Sequence, residues 1–261
     1  MTTHWKLTLP PGLNANETAC LQKHFGSIDA AFTLESDSEP VAISPYSIVL
    51  KIELAGKTYY VKRYHSEGKR KHRWKLRRWL GRPRVQNEWE NLRRFARWGI
   101  PTATIIARGL ERRYGTFIRG ALITAALPDT QDLALLFHTA DPRLRDRDWV
   151  RTLSHQLAHI TRTLHTHRFT HNDLKWRNLL IDNATPPKLY LIDCPGGTFW
   201  IPPFLEYRII KDLACLDKVA RQCLSRTRRL RFYLDYTTRA HLSAKDKTRL
   251  RRILTFFDGR E

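Results

Sequence analysis

The stretch His171-Asn172-Asp173-Leu174-Lys175-Trp176-Arg177-Asn178, followed fifteen residues later by Asp193, decides how this 261-residue chain is read. It follows the pattern H-x-D-L-x-x-x-N, which sets an acid and an amide on one loop, and Asp193 closes the apolar run Leu189 to Ile192. Moving a γ-phosphoryl group calls for a carboxylate that orients the acceptor hydroxyl and takes its proton. It also calls for oxygen ligands that hold magnesium against the phosphates. Asp173 suits the first task as catalytic base; Asn178 and Asp193 suit the second as metal ligands.

An isolated H-x-D tripeptide would carry little weight, since Asp and Asn are ordinary loop residues. Here the flanking pattern supplies the context. Val150, Leu153, Leu157, Ile160 and Leu164 fall at helical spacing just before the loop. Leu179-Leu180-Ile181 and Leu189 to Ile192 read as short strands separated by a turn from Asn183 to Pro187. The order helix, loop, strand, turn, strand, acid is the one this chemistry uses.

Phosphoryl transfer from a nucleotide also needs a cation on the α- and β-phosphates and a carboxylate that fixes it. Ser47 to Glu53 and Lys57 to Tyr64 read as two strands joined at Ala55-Gly56, with Lys62 late in the second. Alone, Lys62 would pass for one more exposed base among 46 Lys and Arg; the loop at 171 reverses that preference. In the next helix Glu88 and Glu90 compete. At roughly 100° per residue, Val85, Leu92, Phe95 and Ala96 cluster around Glu88, and Glu90 points the other way. A carboxylate on an apolar stripe needs a positive partner, so a Lys62–Glu88 pair is expected, the plainer alternative being an acid at the edge of an amphipathic face. No G-x-G-x-x-G precedes Lys62. Residues Glu35 to Ser47 are polar, with Pro40 and Pro45 and no glycine, so phosphate contacts there would come from serine hydroxyls and backbone N–H groups.

With these residues assembled, the chain resembles the bacterial lipopolysaccharide core kinases, the Kdo and heptose kinases of the protein-kinase-like superfamily. The likeness rests on Gly56 to Tyr64, on Asn87-Glu88-Trp89-Glu90-Asn91-Leu92 leading into Gly99-Ile100-Pro101-Thr102, on His171 to Asn178 with Asp193, and on Arg208 with Lys211-Asp212-Leu213. It implies ATP and magnesium as co-substrate and cofactor, and a heptose or Kdo hydroxyl of the inner core as acceptor. It makes Asp173 the base, Lys175 a phosphate contact, Lys62 and Glu88 the pair that holds the nucleotide phosphates, and Asn178 and Asp193 the magnesium ligands. Asp193 is followed by Cys194-Pro195-Gly196 rather than Phe-Gly, and no A-P-E segment follows, which argues against control by activation-loop phosphorylation. Asp212, placed at the start of a helix with Leu213, Leu216 and Ala220, either braces the catalytic loop or is an acid at a helix N-terminus. A small protein kinase or aminoglycoside-type kinase shares the same loop, and a non-catalytic kinase-shaped module is the alternative outside the enzymes.

A net charge of +21 calls for an anionic partner. Residues 69–84 hold nine Lys and Arg, two tryptophans and no acid, and a second basic stretch spans 226–231. Each base near an anionic bilayer contributes roughly 1 kcal/mol, so these segments are expected to bind the inner-membrane surface. Nucleic acid is the rival that charge alone favours, but no recognised binding module accompanies the charge. The four cysteines form no C-x-x-C pair, which fits a reducing compartment. No apolar run approaches the roughly 18 residues a membrane span needs, so a cytoplasmic, peripheral protein is expected. His155 and His159 lie off the apolar stripe of their helix and read as surface residues rather than metal ligands.

The expected architecture is α+β and two-lobed: residues 1–127 as a β-rich, ATP-binding N-lobe and 128–261 as a mainly helical C-lobe. Strands are expected over roughly 30 to 64, a helix over 85 to 98, and strands again near 102–108 and 117–126. A hinge is expected at Leu127-Pro128-Asp129, with adenine meeting backbone near Ala125 to Leu127.

Overall fold

The structure, a computed structural model, describes residues 1–35, 39–66 and 82–259. It divides into two compact units, Met1–Arg93 with Ala103–Leu127, and Arg94–Thr102 with Pro128–Glu261. Unlike the continuous split at 127, residues 94–102 group with the second unit. Most of the basic, tryptophan-bearing stretch expected at 69–84 lies outside the described residues.

The first unit is an antiparallel sheet of six strands: β1 (Thr2–Leu7), β2 (Ala42–Ile43), β3 (Ser47–Leu54), β4 (Lys57–His65), β5 (Ile105–Arg113) and β6 (Thr116–Ala125). They lie in the order β1-β5-β6-β4-β3-β2. Side chains alternate across β4 with the period of two that a strand imposes. Tyr59 and Val61 enter a core with Leu50, Ile52, Ile106 and Ile123, closed by Leu21 and Phe25 of helix α1 (Ala15–Phe25) and Ala31 of α2 (Ile28–Thr33). Arg63 points the same way, its Nε donating to Ala31 O at 2.8 Å and its Nη2 donating to Leu34 O. Tyr60, Lys62 and Tyr64 therefore point to the opposite face.

Helix α3 (Arg84–Arg97) brings Glu88 to that opposite face. Its approach depends on a glycine. A Cβ at Gly120 of β6 would stand 2.8 Å from Val85 Cγ1 and 2.8 Å from Gly109 O. The buried positions of α3 within this unit are Val85, Glu88, Trp89, Asn91 and Leu92; Ala96, expected on the inward stripe, is exposed.

Helices α4 (Leu133–His138), α5 (Arg147–Thr166), α6 (Phe204–Cys223), α7 (Arg226–Thr237) and α8 (Ala244–Leu254) dominate the second unit. Ala158 of α5 packs with Ile209, Ile210, Leu213 and Ala214 of α6, Tyr233 and Tyr236 of α7, and Ile253 of α8. Short strands complete it: β7 (Gln131–Asp132), β8 (Phe169–Thr170), β9 (Leu179–Ile181), β10 (Leu189–Leu191) and β11 (Thr198–Phe199). They pair as β10-β9-β7 and β11-β8. Gln156 of α5 ties down the β9–β10 turn by accepting from Leu189 N at 2.9 Å and donating to Pro187 O at 2.6 Å.

Two expectations are corrected. Strand does not prevail from residue 30, because α2 runs to Thr33, capped by Ser27, whose Oγ accepts from Ala30 N at 3.0 Å. Asp212 lies in the interior of α6, not at its start. The strand β1 and helix α1 are elements the sequence reading passed over, although Asn14-x-x-Glu17 is a capping box that signals α1.

Gly120→Ala is expected to lower the melting temperature, since α3 or β5 must shift. Overpacking of this kind costs about 1–3 kcal/mol, or about 2–4 °C per kcal/mol for a chain of this size. Calorimetry checks this; an unchanged melting temperature would mean that α3 does not lie against β6 at Gly120.

Candidate active site

In the first unit Lys62 Nζ stands 3.0 Å from Glu88 Oε1. Tyr64, two residues along the same face of β4, donates its hydroxyl to Glu88 Oε2 and carries the ammonium 5.4 Å from its ring centroid. The buried Glu88 thus has a charge partner and a neutral donor. Breaking such a pair typically costs about 3–5 kcal/mol, because one charge is left buried without compensation. Glu90 instead accepts from Arg82 Nη1 at 2.7 Å and Gln86 Nε2 at 3.2 Å on the outer side of the helix.

The turn between β2 and β3 has serine where glycine would be usual. Ser44 Oγ accepts from Ser47 N at 3.0 Å and Tyr46 N at 3.2 Å, and donates to Ser47 O at 3.2 Å. That hydroxyl closes the turn, as Ser side chains do in ST-turns, and is spent there rather than held out for a phosphate. Near the end of this unit, the N–H groups of Ala125 and Ala126 are likewise spent, on Thr104 O and Thr58 O at 2.9 Å each.

In the second unit α5 ends at Thr166 and β8 delivers the chain to His171. The backbone N–H of His171 donates to Asp212 Oδ2 at 2.8 Å and that of Asn172 to Oδ1 at 2.9 Å. His165 Nε2 approaches the same carboxylate at 3.5 Å and its Nδ1 meets Tyr236 Oη at 2.9 Å. Asp212 is fully buried, and both of its oxygens are satisfied. Asn172 adopts a left-handed conformation with φ 65°, which Asn tolerates better than most residues, and its Nδ2 donates to Gly196 O at 2.8 Å.

The rest of the loop is pinned from below. Leu174 and Trp176 are buried, and Trp176 Nε1 donates to Leu216 O of α6 at 3.1 Å. Asn178 is buried too, its Nδ2 donating to the Asp173 carbonyl at 2.8 Å. With the amide nitrogen so used, Asn178 Oδ1 is the atom left to meet a hard cation. Asp193 follows β10 in a left-handed conformation, φ 57°. Asn178 and Asp193 thus supply one amide and one carboxylate oxygen donor, the set that suits magnesium, whose remaining sites go to phosphates and water. Among the described residues no group of three or more His, Cys, Asp or Glu is placed to hold a metal ion.

Asp173 receives Lys175 Nζ on Oδ1 at 2.7 Å and Arg177 Nη2 on Oδ2 at 3.0 Å. Burial pushes its carboxyl up, but Lys175 and Arg177 outweigh that and hold it below the ordinary aspartate range. It is therefore ionised at neutral pH and able to accept a proton. His171 is different. Its Nε2 faces Ile192 O at 3.3 Å, its ring stacks on Phe95 at 6.2 Å, and burial depresses its pKa against the opposing pull of Asp212 and Asp193. It is a neutral wedge under the loop, with the proton on Nε2.

Each residue singled out from sequence is thus located: Lys62 and Glu88 in contact in one unit, Asp173, Lys175 and Asn178 on one loop in the other with Asp193 after β10. Arg177 and the His165–Tyr236 support of Asp212 were not foreseen. Arg177 is visible in hindsight only as a base beside Asp173, and the His165 contact has no local signal. His155 and His159 are exposed, as their phase on α5 implies.

A model of the lipopolysaccharide kinase (Kdo/WaaP) family matches residues 43–236, about three-quarters of the chain. The chain belongs to that family. A solved structure, "WaaP in complex with acyl carrier protein", superposes with a TM-score of 0.65 at 23% identity, covering 92% of this chain and 90% of that one. At that identity it shows a shared fold. Family membership makes the chain a phosphotransferase that takes ATP as co-substrate and a sugar hydroxyl of the lipopolysaccharide core as acceptor. That answers the choice against the protein-kinase, aminoglycoside-kinase and non-catalytic alternatives.

The state of His171 has a measurable consequence for this Kdo/WaaP family chain. With the folded pKa below the unfolded one, the unfolded chain takes up the proton first as pH falls. His171's contribution is complete above about pH 6.5, its unfolded value, and is lost below it. Between about pH 7.5 and 5.5 the melting temperature is expected to fall more steeply for the parent than for His171→Gln, whose other histidines are the same. Parallel slopes would contradict a neutral, buried His171.

Proposed function

We propose that the chain transfers the γ-phosphoryl group of Mg-ATP to a heptose or Kdo hydroxyl of the lipopolysaccharide inner core, working as a peripheral protein at the cytoplasmic face of the inner membrane. The observation that carries the reading is the placement of Asp173: paired on its two oxygens with Lys175 and Arg177, anchored through its carbonyl by Asn178, on a loop held from beneath by Asp212.

Asp173 orients the acceptor hydroxyl and takes its proton as the new P–O bond forms and the bond to ADP breaks. Lys175, 2.7 Å from the base, is the near cation for the transferred group. Lys62, steadied by Glu88, neutralises the α- and β-phosphates. Asn178 and Asp193 would hold magnesium, which when bound neutralises charge on the phosphates. The turn at Ser44 to Ser47 is closed on itself, with Ser44 Oγ and the N–H groups of Ser44, Tyr46 and Ser47 all bonded within it, so the phosphates rely on the cations.

The positive charge supports a membrane-facing position, though not uniformly. In the 226–231 stretch Arg229 is bound to Asp217 through two contacts of 2.7 Å, and Arg228 donates to Leu144 O and Arg145 O. Arg226 and Arg231 are the exposed bases there. Among the described residues no helix is long and apolar enough to cross a bilayer, which fits peripheral attachment.

Asp173→Asn is expected to lower kcat by about 10²–10⁴-fold with ATP affinity retained, the range for loss of a general base. Transfer of labelled phosphate to purified core intermediate, beside nucleotide binding by calorimetry, reads both. Full activity in the variant would remove Asp173 as base, and labelling of protein in place of core would overturn the acceptor.

A further inference from the structure

Directly after the Asp193 loop the chain exposes apolar side chains that the phosphoryl-transfer machinery does not use. Phe199 is 49% exposed, Ile201 69%, Phe204 60% and Tyr207 43%, four large hydrophobics within nine residues. Pro202 and Pro203 between them are exposed as well. Phe204 and Tyr207 are i and i+3 on the first turns of α6 and share one face. Scattered exposed hydrophobics are ordinary, but a contiguous group of this kind marks an interaction surface.

The patch is fixed to the catalytic loop. β11 pairs with β8 through Thr198↔Thr170 and Phe199↔Phe169, one residue before His171. Trp200 N donates to Arg168 O at 2.9 Å, and Asn172 Nδ2 reaches Gly196 O at 2.8 Å. Whatever the patch rests on is therefore held in fixed register with Asp173.

The charge around it selects the occupant. Arg208 lies 4.3 Å from the Trp200 ring centroid and Arg94 lies 5.4 Å from that of Phe199. Arg168 is exposed at the start of the same hairpin. Between Cys194 and Lys211 the one acid is Glu206, and Arg249 neutralises it through two contacts of 2.7 Å. An apolar tip ringed by arginine and tryptophan, with no uncompensated acid, matches the boundary between acyl chains and anionic headgroups.

We infer that residues 199–208 are an interfacial anchor: Ile201 and Phe204 enter the acyl region of an anionic bilayer while Arg208, Arg94 and Arg168 meet its headgroups, presenting the catalytic loop to a lipid-anchored acceptor. This rests on the membrane-facing reading above and names residues for it outside the basic sequence stretches 69–84 and 226–231. The attachment has an apolar component that salt does not screen, unlike attachment by bases alone.

The test uses the full chain with equimolar phosphatidylglycerol–phosphatidylcholine vesicles and, for comparison, phosphatidylcholine alone. The double variant Ile201→Ser, Phe204→Ser replaces exposed side chains and is expected to keep its melting temperature and its transfer to delipidated core oligosaccharide. Its partition onto the anionic vesicles is expected to fall by about tenfold or more, the residual binding vanishing at high salt. As an independent readout, an environment-sensitive dye on Ile201→Cys, with Cys20 and Cys223 replaced by Ser, is expected to shift to the blue on those vesicles. Unchanged partition of the double variant, or a dye that stays in water on bound protein, would overturn the inference; a patch that receives a protein instead gives that result. Failure of the parent chain to phosphorylate the delipidated core would count against the kinase reading alone.

Discussion

The Asp212 carboxylate, shut away from solvent in the middle of α6, receives the backbone N–H groups of His171 and Asn172 on its two oxygens. A buried carboxylate is costly unless its lone pairs are met, so this contact cannot be loosened a little at a time. It fixes where the chain turns out of β8, and from that turn everything about the base follows. Asn172 takes its left-handed conformation, Asp173 emerges beside Lys175 and Arg177, and Trp176 drops back onto α6. His165 of α5 reaches the same carboxylate and is itself met on its other ring nitrogen by the Tyr236 hydroxyl of α7, so a chain of contacts through three helices of the second unit ends beneath the phosphoryl-transfer loop.

The chemistry at this loop is a division of labour set by burial. His171 is sealed in, neutral, and supports the loop by stacking and one hydrogen bond. Asp173 is half-exposed, and the two cations on its oxygens hold its pKa below the ordinary aspartate range. The imidazole and the carboxylate lie two residues apart in sequence, and both pKa values are lowered, by desolvation at His171 and by charge pairing at Asp173, which leaves the first neutral and the second anionic. In the first unit the same logic fixes Lys62: a buried glutamate on a helix that a glycine lets close onto the sheet leaves the lysine a single well-defined place.

Much of this was legible in the sequence where side-chain periodicity carries it. The inward phase of Glu88 followed from 3.6-residue spacing and the outward phase of Glu90 from the same count, whereas Lys62 was picked out by its place late in a predicted strand together with the loop at 171. The pairing of β3 with β4 followed from the Ala55-Gly56 turn. What was not legible is contact with backbone. Asp212's partners are N–H groups forty residues away, which have no sequence signature, and its mid-helix position was misread as a helix start because Leu213 begins an apolar spacing. The Arg228 and Arg229 contacts with Leu144, Arg145 and Asp217 are likewise tertiary, so the 226–231 stretch looked more available to a membrane than it is. The glycine-poor loop was recognised as unusual, but that Ser44 would spend its hydroxyl on its own turn needed coordinates. By contrast α1 was overlooked although its Asn14–Glu17 capping box was in plain sight.

The claim on which the rest hangs is that Asp212 holds the loop through those two N–H groups. Backbone amide exchange at His171 and Asn172 tests it directly, in the parent and in Asp212→Asn. Loss of a charge-assisted hydrogen bond, about 1.5–3 kcal/mol, predicts that both amides, slow in the parent, exchange about ten to a hundred times faster in the variant, while Val61 in β4 keeps its rate. Equal exchange at His171 and Asn172 in the two proteins would contradict the account.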